Sequence, residues 1–121
     1  MKFRDEHTLP LPLLGGVVQA QRLVVPPEVV MSIRSYRHAC RWAWKLRNPR
    51  ITQRTLAELS TLYAPHVSDY FSVHPNRREL PARCIAAVEA VLGNTVISQW
   101  LARQSNLTIL EQYIQGARRA A

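Results

Sequence analysis

Acidic residues are scarce in this chain: eight Asp and Glu stand against sixteen Lys and Arg, a formal charge of +8 over 121 residues. Such an excess points to a polyanionic partner, nucleic acid or an anionic membrane surface. Glycine is scarcer still, with four in all, which leaves no glycine-rich loop to cradle a phosphate. The two cysteines, Cys40 and Cys84, belong to no CxxC and are expected to be buried thiols, because cysteine is a small apolar core residue. His7, His38, His66 and His74 show no ligand spacing, and His38 and Cys40, two apart on a helix, point different ways. Glu58, Asp69, Glu79 and Glu89 are not paired at any recognisable spacing, and no nucleophile motif is present. No enzymatic activity, cofactor, metal or small-molecule ligand is therefore expected. No apolar run reaches the ~18 to 20 residues needed to span a bilayer. Asp5 and Glu6 follow the basic N-terminus, and Pro10 and Pro12 interrupt its only leucine-rich stretch, so no secretory leader is expected.

What is present divides the chain near residue 30. In residues 1–30 the charges cancel: Lys2, Arg4 and Arg22 against Asp5, Glu6 and Glu28. The whole excess lies in residues 31–121. Pro10, Pro12, Pro26, Pro27 and Gly15-Gly16 forbid a long helix in the first thirty residues, which read as an irregular or extended arm. Val17–Val25 has the composition of a short strand with nothing local to pair with. From Ser32 the apolar period becomes helical: Ile33, Tyr36, Ala39, Cys40, Ala43 and Trp44 share one side. Arg34, Arg37, Arg41 and Lys45 gather on another within about 80°. Trp42, near the basic edge, is expected to pack under another element, and Trp44 and Trp100 to join the core. Asn48-Pro49 ends this helix. A second helix is predicted over Gln53–Leu59 behind Thr52 as N-cap, and a third over Pro65–Phe71. After a polar loop, Pro81 opens a fourth helix that Gly93-Asn94 closes. Thr95 caps a fifth, and the capping box Thr108-x-x-Glu111 starts a last. The expected fold is all-α, with an arm over 1–30, a DNA-binding domain over 31–94 and C-terminal helices over 95–121.

The informative stretch is TQRTLAELSTLYAPHVSDYF, Thr52–Phe71. Small Ala57 lets a second helix approach the first, and Leu56, Leu62, Val67 and Tyr70 supply apolar contacts at the intervals of a helix-turn-helix unit. In these residues the chain resembles the phage repressor and Cro-type regulators, the lambda-repressor-like (XRE-like) class. The resemblance covers roughly residues 32–92. It implies that Gln53 hydrogen-bonds a phosphate at a helix N-terminus, where free N–H groups and the dipole attract anions. It also implies that the early third helix, with Ala64, Pro65, His66, Ser68 and Asp69, faces the major groove, His66 and Ser68 being the best candidates for base-edge contacts.

Thr52, Arg54 and Thr55 are candidate phosphate contacts beside Gln53. Arg41, Lys45, Arg77 and Arg78 are candidates on the flanks. Three departures from the class stand out. Thr61 replaces the usual turn glycine, so a strained or rearranged turn is expected. The third helix has no Arg, Gln or Asn to read bases bidentately. Asp69 repels phosphate unless it accepts from a cytosine amine or pairs with a nearby Arg. The expected function is a cytoplasmic transcriptional regulator that binds a palindromic operator as a homodimer, paired through Trp100, Leu101, Tyr113 and Ile114. The alternative is a protein-interaction module on the same scaffold, an antitoxin or an adaptor.

Overall fold

A computed structural model describes residues 22–120. Six α-helices follow one another: α1 (Pro27–Ser32), α2 (Tyr36–Lys45), α3 (Gln53–Ser60), α4 (Ala64–Tyr70), α5 (Ile85–Leu92) and α6 (Val96–Ala120). A 3-10 turn, Ala82–Cys84, leads into α5. The all-α expectation holds, and local chemistry explains the boundaries. Ser35 caps α2 by accepting from the His38 N–H, and Thr52 caps α3 by accepting from the Thr55 N–H, so each satisfies an orphan donor of a first turn. Pro27 and Pro65 occupy first-turn positions, where a missing N–H leaves nothing unpaired. Gly93 closes α5 in the left-handed conformation at φ 84°.

The core is made from small side chains on α2 and branched ones around them. Ala39, Cys40 and Ala43 are buried, which allows α6 to lie close with Val96 and Ile97 fully covered. Leu56, Val67, Phe71, Val88 and Leu92 fill the space under α3, α4 and α5. Burial pushes the Cys40 thiol up to about 12, so it stays protonated and behaves as an apolar group. Cys84 is only half-buried, which corrects its expected placement inside. Trp44 stacks on Phe71 at 5.1 Å, and the Trp100 indole N–H donates to the Ile33 carbonyl at 2.9 Å. Both rings are half-buried rather than central, and Trp42 stands at the border of exposure instead of under another element.

The junction between α5 and α6 is held by buried polar groups. Asn94 donates to the Ala43 carbonyl at 2.9 Å and accepts from the Val96 N–H at 3.3 Å. The buried Glu89 carboxylate accepts from the Ser98 N–H at 3.0 Å and from the Ser98 hydroxyl, a charge placed where the α6 dipole favours it. The chain before α1 is stitched to the same corner. Leu23 exchanges backbone hydrogen bonds with Gly93 and Thr95, and the Gln99 amide donates to Val25 O and accepts from Val25 N.

Two expectations change here. The arm does not run to residue 30: Val25 and Val30 are core residues and α1 begins at Pro27, so the bundle starts earlier than Met31. Of the strand expected over Val17–Val25, the described part forms a single isolated bridge, Leu23 to Asn94, and residues 1–21 lie outside the described part. The two helices expected after Thr95 are one, Val96–Ala120. Nothing between Arg103 and Thr108 breaks a helix, and the Thr108 hydroxyl donates back to the Gln104 carbonyl at 3.1 Å instead of capping a new start. The junction at 94–95 is thus interior to one core rather than a division of the chain.

Candidate nucleic-acid interface

The turn between α3 and α4 decides how the pair can meet a partner. It has three residues, Thr61–Tyr63, and Thr61 adopts φ 54°, ψ 33°. This is the left-handed conformation that glycine enters freely and a β-branched residue enters at a cost of roughly 1 to 2 kcal/mol. The turn is therefore strained at Thr61. Burial of Leu56 and Ala57 on α3, and of Val67 and Tyr70 on α4, holds it there, with Leu62 half-buried between.

With those side chains inward, the start of α4 faces outward. Ala64, Pro65 and Ser68 are exposed and His66 is half-exposed. The His66 ring lies edge-on between Tyr63 and Tyr70, with centroids 4.5 Å and 6.4 Å away. Tyr63 itself is 64 % exposed, and the residue reading of the third helix missed it. The signal was available: Tyr63, His66 and Tyr70 recur at helical spacing across the start of α4.

On the first turn of α3, Gln53 and Arg54 are exposed, and Thr55 is half-buried. The hydroxyls of Thr52 and Thr55 lie 3.1 Å apart, so the capping Thr52 is largely committed to its own helix. Arg54 pairs with Glu58 at 3.3 Å, but both side chains are exposed, and such a pair exchanges readily for a phosphate.

Beyond α4 the picture reverses. Asp69 is buried, not presented to a groove: its carboxylate accepts from Arg77 at 3.4 Å and from Arg78 at 3.2 Å. Its assignment as a groove-facing residue is corrected, because of its two ways to avoid repelling phosphate it takes the arginine pairing. Arg77 and Arg78 keep about 60 % of their side chains exposed while making that pair.

The basic face of α2 is also divided. The Arg37 side chain is only 11 % exposed. It donates to the carbonyls of Ser72 (3.2 Å), Arg77 and Arg78 (3.5 Å), and its Nε lies 3.8 Å from Glu79. Tyr36 reinforces it by donating to the Leu80 carbonyl at 2.7 Å, and burial holds that hydroxyl protonated well above its ordinary range. Arg41 stays exposed, yet donates at 3.4 Å to the carbonyl of Phe71, the C-cap of α4. Arg34 and Lys45 are exposed on the same helix and its approach. Thus Asp69, Arg37, Arg41, Arg77 and Arg78 converge on the end of α4, whereas Thr52, Gln53, Arg54 and Thr55 form a separate group at the start of α3.

Among the described residues, no group of His, Cys, Asp or Glu could hold a metal ion, and no helix is long and apolar enough to cross a membrane. Compared with known proteins, the chain matches no family model, no curated protein and no solved structure.

Proposed function

We propose that this protein is a sequence-specific double-stranded DNA-binding regulator that acts in the cytoplasm as a pair of copies on a two-fold operator. One observation carries the reading: a short helix and a second one, joined by a three-residue turn that opens on left-handed Thr61, leave the start of the second helix exposed between basic flanks. A helix so presented enters the major groove with its first residues against base edges. This is also what a lambda-repressor-like unit would require.

The roles divide by chemistry. The His66 ring and Ser68 hydroxyl hydrogen-bond base edges, while Ala64 and Pro65 offer apolar contact to a thymine methyl. Gln53 and the free N–H groups of the first α3 turn take a phosphate. Arg54, Arg41 and Lys45 reach neighbouring phosphates, and Arg77 and Arg78 add contacts through the faces that Asp69 leaves free. Specificity is modest because the α4 face has no bidentate reader. Pairing of two copies supplies the rest of the discrimination by doubling the contacted sequence.

A competing reading, a protein-interaction module, draws on the exposure of Leu59 and Tyr63, both above 60 %, beside the same turn. Genomic footprinting of the purified protein over a salt series separates the two. Five cations per copy, less the one charge that Asp69 neutralises, should make log affinity fall against log salt with a slope of about −4 per copy, at roughly 0.9 per phosphate. Protection that ignores salt counts against the first reading, and no protection together with a stable complex with an acidic protein selects the second. Replacing His66 and Ser68 by Ala should lower preference for the footprinted site by roughly 10-fold or more while leaving general DNA affinity nearly unchanged. Equal losses on all sequences would remove these residues from base reading.

A further inference from the structure

Every residue from Gln104 to Arg119 on α6 is exposed, although the helix has been anchored in the core by Val96 and Ile97. This outer half is not polar. Leu107, Leu110 and Ile114 repeat at three- and four-residue spacing, with Tyr113 beside them, and Tyr113 is 78 % exposed. Toward the N-terminus the same face becomes one wall of a groove of about 480 Å³. Ala102, Asn106, Leu107 and Leu110 form that wall, and Val30 and Met31 of α1 form the other. A stripe and a groove thus lie end to end on one side of one helix.

We infer that the occupant of this groove is the outer half of α6 from a second copy of the chain, running antiparallel about a two-fold axis near Leu107. This inference gives an orientation to the pairing assumed above. A two-fold interface must be self-complementary. The axis at Leu107 meets that condition, because each copy's stripe then enters the other's groove. Charge selects the direction. Glu111 is the only acid of α6, against Arg103, Arg118 and Arg119. Glu111 lies four residues after Leu107 and Arg103 four before it, so an antiparallel pair brings each glutamate to the other copy's arginine, twice. A parallel pair places Glu111 on Glu111 and the Arg118-Arg119 tails on each other, which is repulsive. The area is adequate. At ~150 to 200 Å² per large side chain, the exposed fractions of Met31 and the four stripe residues leave on the order of 500 Å² per copy. A pair would cover about 1,000 Å², the least that a specific interface needs.

The test uses the full chain without DNA, so its outcome is separate from that of the DNA-binding reading. Sedimentation at micromolar concentration should give a dimer. Under mild oxidation, L107C should form a disulfide-linked dimer across the axis. I114C should not, because its antiparallel neighbour is Trp100; a parallel pair would link both. The wild-type chain, with Cys40 buried and Cys84 half-buried, sets the background. R103E and E111R should each weaken pairing about 10-fold, and the double reversal should restore it. Circular dichroism on each variant confirms that the fold persists. A monomer at tens of micromolar, linkage of I114C as efficient as that of L107C, no linkage of L107C, or a double reversal no better than the singles would each overturn the inference.

Discussion

At the start of α4, Tyr63, Pro65 and Ser68 are exposed and His66 is half-exposed. At its end, the Asp69 carboxylate, the Phe71 carbonyl and the Arg37, Arg41, Arg77 and Arg78 side chains are drawn into one set of contacts that pins the following loop. The two ends of one seven-residue helix therefore do different work. One is a presented surface with little charge, and the other is a charged cluster whose main task is internal. Counting basic residues does not measure the charge available to a partner, because a guanidinium bonded to three carbonyls is part of the fold. Arg37 is the clearest case, since Arg41 and Lys45 on the same helix, and Arg34 on its approach, remain exposed.

Substitutions that leave one end intact test this contrast. The largest effect is expected from Arg37→Ala, which strips hydrogen bonds from three loop carbonyls. Urea denaturation should show a loss of about 2 to 4 kcal/mol, and Arg41→Ala less than about 1. Equal losses would erase the distinction between the two arginines.

Asp69→Asn comes next, with about 1 to 2 kcal/mol of destabilisation. It should also steepen the salt dependence of DNA binding by roughly 1, because Arg77 and Arg78 lose the one carboxylate charge that offsets theirs. A shallower slope would mean that Asp69 holds the arginines in place for phosphate rather than withholding them from it.

At the turn, Thr61→Gly should stabilise by about 0.5 to 1 kcal/mol in the same assay. Relief of left-handed strain exceeds the added freedom of the unfolded chain and the loss of the Thr61 hydroxyl bond to Ser60 O. A destabilised Thr61→Gly would show that this bond, not the backbone, decides the turn.

The smallest effect on stability, within about 0.5 kcal/mol, is expected for the double change His66→Ala with Ser68→Ala. A large loss there would mean that the presented end is structural after all.

Much of the fold was legible because its signals are local. Thr52, Pro65 and Gly93 each mark a helix end through hydrogen bonds or torsions that span three or four residues. The intervals of Leu56, Ala57, Leu62, Val67 and Tyr70 placed the α3–α4 contact for the same reason. Thr108-x-x-Glu111 misled because a capping box competes with simple continuation of the helix, and no tertiary contact bends the chain there. Tyr63 escaped because a reading that begins at Pro65 passes over the residue at the N-cap position of α4. Asp69 and Arg77-Arg78 were known as a possible pair but not as an actual one, since eight or nine residues of loop separate them.

By itself the sequence determined an all-α chain, the helix–turn–helix order between Thr52 and Phe71, and a strong positive balance after residue 30. Helix propensity, capping and net charge are properties of neighbours in the chain or of simple counts. Only the tertiary structure decided that the segment from Leu23 to Ser32 belongs to the bundle, that Arg37 is interior and that Asp69 faces its arginines. It also decided that the outer half of α6 is exposed among the described residues. Each of these depends on which distant groups meet, and burial in one core is what brings residues thirty to seventy positions apart within hydrogen-bond reach.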